Sequence, residues 1–304
     1  MDMFSIENLN NLWNQFFWAE ENVSTWIIFK WFFGTVMLAN TALLFKDRFL
    51  FYDCHVGLGI RNKRDPHTVP PWARFCLWDY LPDTKASTTL IFSAWIASLF
   101  AFLLGAGGWM PILIIVACET SRIHRNIMCN HAGDTYARLI WWCMLAAYAL
   151  NPMANVGGLS YYQEYGNMGI DATWNPWPLR MIMILWISCY TNAAIHKLKG
   201  AMWRNGTASF YPLYCNGFRR WPVPLFLLSP IFVKIGTWGA IVMEASAPLA
   251  LVPSLRPYIV GGIAAMHMVF EYCLNLQLFG VIMLAGCIAW ISPDFAHSVL
   301  ELII

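Results

Sequence analysis

Six ionisable side chains fall inside apolar runs of this chain: Lys30, Arg138, Lys234, Glu244, His267 and Glu271. Glu119, Arg180, His196 and Lys197 stand at the ends of such runs. Each costs about 2.5–3.5 kcal/mol on membrane-insertion scales, so each calls for a partner or a task. Arg138 and Lys234 sit within a few residues of a run's end, where their long stems let the charged heads reach water. Glu244 lies near the middle of Phe232–Val252. Its short carboxylate cannot reach a surface and must be paired or protonated. His267 and Glu271 are four residues apart, on one helical face; they either satisfy one another and tie two helices together or line a site. His131 and Asp134 belong to the polar stretch Arg125–Asp134, where Asp134 suits a helix N-cap accepting from open backbone amides. A second cluster runs Thr191, Asn192, His196, Lys197, Lys199, then Trp203-Arg204-Asn205-Gly206. A lysine at a helix end is ordinarily an interfacial anchor; desolvated among aromatic rings, it becomes a usable base.

Other chemistries find no residues. The seven histidines, His55 and His67 among them, form no HxxxH, HxxHH or HExxH box, so no metal is expected. GxSxG, Walker and GxGxxG motifs are absent from the sequence, which leaves nucleotide binding and the hydrolase elbow unsupported. A net charge of +2 without a basic, aromatic-interleaved run excludes nucleic acid as a partner. The nine cysteines are odd in number, lack CxxC, and largely sit in apolar stretches, reading as reduced core residues.

The elements that must position these groups follow from composition: 59% hydrophobic, 16% aromatic and only 12% charged over 304 residues, with a mean hydropathy of +0.50. That excludes an ordinary soluble enzyme and points to an all-α integral membrane protein with membrane lipids as its solvent. The expected spans are Trp26–Phe45, Ser87–Gly105, Trp109–Thr120, Thr135–Leu150, Leu179–Ile195, Phe232–Val252, Tyr258–Cys273 and Leu278–Ile291. This is a bundle of about eight transmembrane helices, with about seven to nine admissible, because the third is short unless it continues through Arg122 and Arg125. Connections 46–85, 121–134 and 197–220 carry seven, two and five Lys or Arg; the alternate set contains only Arg256, with Arg180 at a helix edge. By the positive-inside rule those three connections are cytoplasmic. The multi-pass chain is expected in a bacterial cytoplasmic membrane. No basic residue precedes Lys30, so the first spans, rather than a cleaved signal peptide, are expected to direct insertion.

Residues 1–24 carry Leu9, Leu12, Trp13, Phe16 and Phe17 at helical spacing, which predicts an amphipathic helix lying in the interface or packed on protein. The connection Lys46–Ala86, with Pro66, Pro70, Pro71, Pro82, Trp72 and Trp78, is expected on the membrane surface.

The order of the polar clusters resembles the HTTM domain, the membrane domain shared with vitamin K-dependent gamma-carboxylases. The matching pieces are Arg125-Asn126 to Gly133-Asp134, Trp177-Pro178-Leu179-Arg180, Ala194 to Gly200, and Trp203 to Ala208. They continue with Thr237-Trp238 through Glu244 and Pro248, Leu255-Arg256-Pro257, His267, and Asn275 to Phe279. They lie within 122–293 of an HTTM-like region over 25–304. The resemblance implies a bundle enclosing a reduced quinone, which reacts with O2 to an epoxide while a strong base takes a proton from a glutamate side chain and CO2 is added. By the matching His-Lys-Leu stretch the lysine base is Lys197, with Lys199 the alternative because one extra residue precedes Trp203. His131, Asp134, His196, Trp203, Glu244 and His267 are the expected substrate- or quinone-binding residues. The carboxylases carry a soluble substrate-holding domain and face the lumen, whereas the charge count puts Lys197 on the cytoplasmic side. A peptide substrate therefore implies a partner. Two other functions stand beside the enzyme: a maturation factor for an exported peptide, and a non-catalytic quinone- or lipid-binding subunit of a larger membrane complex.

Overall fold

A computed structural model describes residues 6–53 and 75–304. The expectations that rest on His55, Pro66, His67, Pro70, Pro71 and Trp72 lie outside the described residues. Among those described, the chain is helical almost throughout; its strands are two-residue pieces, Glu21–Asn22 (β1) and Thr173–Trp174 (β2), paired antiparallel. The chain divides into two compact units, residues 1–180 with 292–304, and residues 181–291.

The first unit contains α1 (Ile6–Trp18), α2 (Ser24–Lys46), α3 (Arg48–Tyr52), α4 (Lys85–Leu103), α5 (Met110–Arg125), α6 (Ala132–Leu150), α7 (Leu159–Tyr165) and the terminal Pro293–Glu301 helix, here α14. Helix α2 packs on α4, α4 on α5, and α5 on α6, with α14 against α2. The amphipathic α1 exposes Leu12 and Trp13 and buries Phe17, so it packs on protein along one side. Gly105 closes α4 at φ +64°, where a Cβ would meet the Cα of Gly158 at 2.3 Å. Only glycine allows the two backbones to approach so closely, and there Ser160 Oγ donates to the Gly105 carbonyl. Trp78, expected at a membrane surface, is instead buried: its indole N–H donates to Thr88 Oγ1 at 3.0 Å and its ring stacks on Tyr52. A satisfied N–H lets the large ring serve as core.

The second unit holds α8 (Trp177–Lys199) from Met181 onward, α9 (Ala201–Arg204), α10 (Phe210–Tyr214), α11 (Pro230–Ala245), α12 (Arg256–Cys273) and α13 (Phe279–Ile288). Helix α12 packs against α11 and α13.

Among the described residues three helices, α2, α4 and α8, are long and apolar enough to cross a membrane, which marks the chain as a membrane protein. Each of the other expected spans falls on a helix, but α5 and α11 have 16 residues and α13 has 10. At about 1.5 Å per residue these fall short of a hydrocarbon core of about 30 Å. Helix α5 does continue through Arg122 and Arg125. The run expected over Phe232–Val252 is not one helix: α11 ends at Ala245 and a 3-10 turn follows over Ala247–Leu251. Pro248 has no N–H to offer the Glu244 carbonyl, so the α-helical ladder stops there. Glu244 consequently sits in the last turn of α11 rather than at mid-helix.

Candidate functional site

Unit 2 holds a partly open cavity of about 490 Å³ walled by Leu227, Phe232, Ile235, Phe270 and Phe279, whose lining includes Lys197, Glu244 and His267. Helix α8 brings Lys197 to it in its last turn, where a cation meets the carbonyl end of the helix favourably. The chain then turns through α9, and the Trp203 ring comes back over Lys197 Nζ at 4.9 Å from the ring centre. Gly206 ends that turn at φ +72°; a Cβ there would lie 3.0 Å from both Lys234 Cγ and the Trp238 indole nitrogen. Glycine is thus what lets this loop lie flat on α11. Ser209 continues the seam, its hydroxyl donating to the Val233 carbonyl at 2.8 Å.

Lys197 Nζ donates to Glu244 Oε1 in a close ion pair. The lysine side chain keeps 20% exposure and the glutamate 6%. Glu244 Oε2 and His267 Nδ1 are buried without a hydrogen-bond partner among the described residues. His267 Nε2 shares a 2.7 Å hydrogen bond with the hydroxyl of Tyr190, one α-helical turn beyond Trp186 on α8. The imidazole is boxed by Tyr190, Phe270 and Phe279. An acid, an ammonium and an imidazole on otherwise apolar walls can hold and move protons at the oxygen of a ring-bearing, water-insoluble ligand.

The remaining expected site residues lie elsewhere. His196 and Lys199 are exposed on α8 and outside the cavity lining, so of the two lysines only Lys197 meets the cavity. His131 and Asp134 belong to unit 1 and start α6. The N-cap there is His131, not Asp134: the Asp134 N–H donates to His131 Nδ1 at 3.3 Å, and the His131 N–H to Asp134 Oδ2 at 3.0 Å. This reciprocal capping box leaves Asp134 Oδ1 for Arg122 at 2.9 Å. His267 and Glu271 do not pair either. Glu271 accepts from Arg220 at 2.7 Å and from the Gly280 N–H at 3.1 Å, because the loop before α11 runs beside the end of α12. Lys30, buried in α2, donates to the Ala154 and Val156 carbonyls at 2.8 and 2.6 Å. Tyr190 and Arg220, the partners of His267 and Glu271, carry no local signal in the sequence, since they are 77 and 51 residues from the groups they meet. In the connection after α2, burial pushes the Tyr52 phenol above its ordinary range while the neighbouring Arg122 guanidinium works against that shift.

Among the described residues no group of three His, Cys, Asp or Glu is arranged to hold a metal ion, and the described cysteines are all thiols. No family model, curated protein or solved structure matches the chain.

Proposed function

We propose that this chain is a multi-pass enzyme of the bacterial cytoplasmic membrane, threaded by about eight helices, that works on a reduced quinone with O2 in the manner of the HTTM carboxylases it resembles. The observation that carries this reading is the Lys197–Glu244 pair on the wall of an apolar cavity that also contains His267. The residues suit such a ligand. Phe232, Phe270 and Phe279 offer ring faces, Leu227 and Ile235 aliphatic walls for an isoprenoid tail, and the volume lies within the range of about 300–1,000 Å³ typical of small-molecule sites. Glu244 Oε2 and His267 Nδ1 await polar partners that the hydroxyls of a quinol would supply.

A reduced quinone reacting with O2 supplies the oxidation, quinol and O2 giving quinone epoxide and water. Lys197 and Glu244 face one another across a hydrogen bond along which a proton can pass. With that proton on Glu244, the Lys197 amine accepts the proton of a phenolic hydroxyl, and the ammonium so formed rests against the Trp203 ring. His267, held by Tyr190, positions the second oxygen-bearing edge. Peptide or membrane subunits that bring the proton donor are the partners this reading requires.

The test supplies membranes holding the chain, or its Lys197→Ala variant at equal abundance, with a reduced naphthoquinone and O2, and measures quinone epoxide by mass spectrometry. Epoxide from the unaltered chain alone is expected. Its absence from both refutes the enzyme and transfers the assignment to a quinone- or lipid-binding subunit.

A further inference from the structure

The interior of unit 1 contains a carboxyl group that nothing described there satisfies. Glu119 on α5 is fully buried, and neither of its oxygens accepts a hydrogen bond from a described residue. Arg122 Nη2 is 4.0 Å from Glu119 Oε1 but 2.9 Å from Asp134 Oδ1, so the guanidinium is committed to Asp134. Arg122 Nε and the indole N–H groups of Trp95 and Trp141 are buried without hydrogen-bond partners among the described residues as well. The groups facing the carboxyl are Arg122 on its own helix and Asp134, Arg138 and Trp141 from α6. The Trp95 ring from α4 lies 5.9 Å from the Arg122 guanidinium carbon. The Arg122 guanidinium thus stops 4.0 Å short of the carboxyl, a separation a bridging water fills, and the Trp141 indole acts on the same carboxyl.

An ionised carboxylate without a hydrogen bond is among the costliest groups to bury. Two additions remove that cost. A proton turns an acceptor-only group into one that can also donate, and water of two to four bonds reaches the unmet indole and guanidinium donors.

We propose that Glu119, Arg122 and Trp141 enclose a second site, a hydrated proton-binding chamber in which Glu119 carries a proton and internal water links it to the Arg122 and Trp141 donors. Its ligands are a proton and small hydroxylic molecules, and none of its residues belongs to unit 2.

Infrared spectroscopy of the full chain in phospholipid nanodiscs at neutral pH tests this through the C=O stretch of a protonated carboxyl. The expected result is a band that is lost in Glu119→Gln, retained in Glu244→Gln, and moved to lower frequency by exchange into D2O. Trp141→Phe leaves the carboxyl in place and removes a donor, so the band should shift in that variant even if Glu119→Gln fails to fold. A spectrum with no such band, or one unchanged by both Glu119→Gln and Trp141→Phe, overturns the proposal.

Discussion

Replacing Lys197 by methionine keeps most of the side chain's apolar volume and deletes the cation opposite Glu244. The two ends of the pair are not equally buried, 20% exposure against 6%, so the two deletions should not cost the same. Breaking a buried pair costs about 3–5 kcal/mol when the surviving charge is trapped. Glu244 is trapped: its other oxygen has no partner among the described residues, and the walls around it are aliphatic and aromatic. Taking up a proton limits the loss, so Lys197→Met should cost about 3 kcal/mol, the low end of that range. In Glu244→Leu the surviving ammonium keeps the Trp203 face and reaches solvent, and the cost should be about 1 kcal/mol. The double variant, with two apolar groups of similar bulk, should lie within about 1 kcal/mol of the unaltered protein. This gives a coupling of about 4 kcal/mol in the double-mutant cycle. Unfolding of the purified chain in mixed micelles, followed by tryptophan fluorescence, reads all four corners. Equal costs for the two single variants would refute the inequality drawn from burial, and a double variant as unstable as the sum of the singles would refute the pairing itself.

Three further outcomes are expected. Tyr190→Phe removes the 2.7 Å bond to His267 and leaves the imidazole nitrogen unmet, a loss of about 1–2 kcal/mol in the same unfolding assay; no change would mean that the hydroxyl does not hold the ring. Gly206→Ala forces a side chain into a left-handed position and against Lys234 and Trp238, costing about 1–3 kcal/mol, whereas Gly217→Ala, with open space around its Cβ, should be near neutral. Lys30→Met strips the Val156 carbonyl of its lysine donor and leaves the Ala154 carbonyl with the Trp26 indole N–H alone, so amide exchange over 152–156 should speed up by a factor of about ten, equivalent to about 1.4 kcal/mol of local stability; unaltered exchange would show that other groups, Trp26 among them, hold that turn.

The helical character of the chain was legible because apolar runs leave little else for a backbone to do in lipid. Every expected span overlaps a helix, although the one over Phe232–Val252 breaks after Ala245, and the extension of α5 through its two arginines was foreseeable from its shortness. How many of these helices cross a membrane is less legible, since a run that continues in the sequence stops as a helix at a residue such as Pro248, whose effect on α11 depends on one missing N–H. The resemblance grouped Lys197 with His131, Asp134, His196, Trp203, Glu244 and His267; Lys197, Trp203, Glu244 and His267 line one cavity, whereas His196 lies outside its lining and His131 and Asp134 belong to the other unit. Partner choice was the least legible feature. His267 and Glu271 share a helical face at the spacing of a pair, yet each meets a group from a distant segment, because side-chain direction and tertiary neighbours decide between equally spaced donors. Asp134 was placed three residues early in its helix for a related reason: a histidine can cap with its ring nitrogen, so the aspartate moves to the reciprocal position. For Lys30 the acceptors are backbone carbonyls, which no residue type announces.

Two ion-paired carboxylates, Asp134 in one unit and Glu244 in the other, stand in opposite relations to their own helices. Asp134 lies in the first turn of α6, where backbone N–H groups and the positive end of the helix dipole favour a negative charge, and its partner Arg122 lies in the last turn of α5, where a cation is favoured. Local rules and the tertiary contact agree there, as they do in a joint that specifies a fold. Glu244 occupies the last turn of α11, so its charge faces the carbonyl end of its own helix, in an apolar wall and with one oxygen unmet. Every local term opposes an isolated carboxylate at that position, and Lys197 is the described group that offsets them. A chain that needed only to pack α8 against α11 would do so with two aliphatic residues at no such cost. Departures of this kind concentrate where a protein handles a ligand, and this one lies on the wall of the cavity.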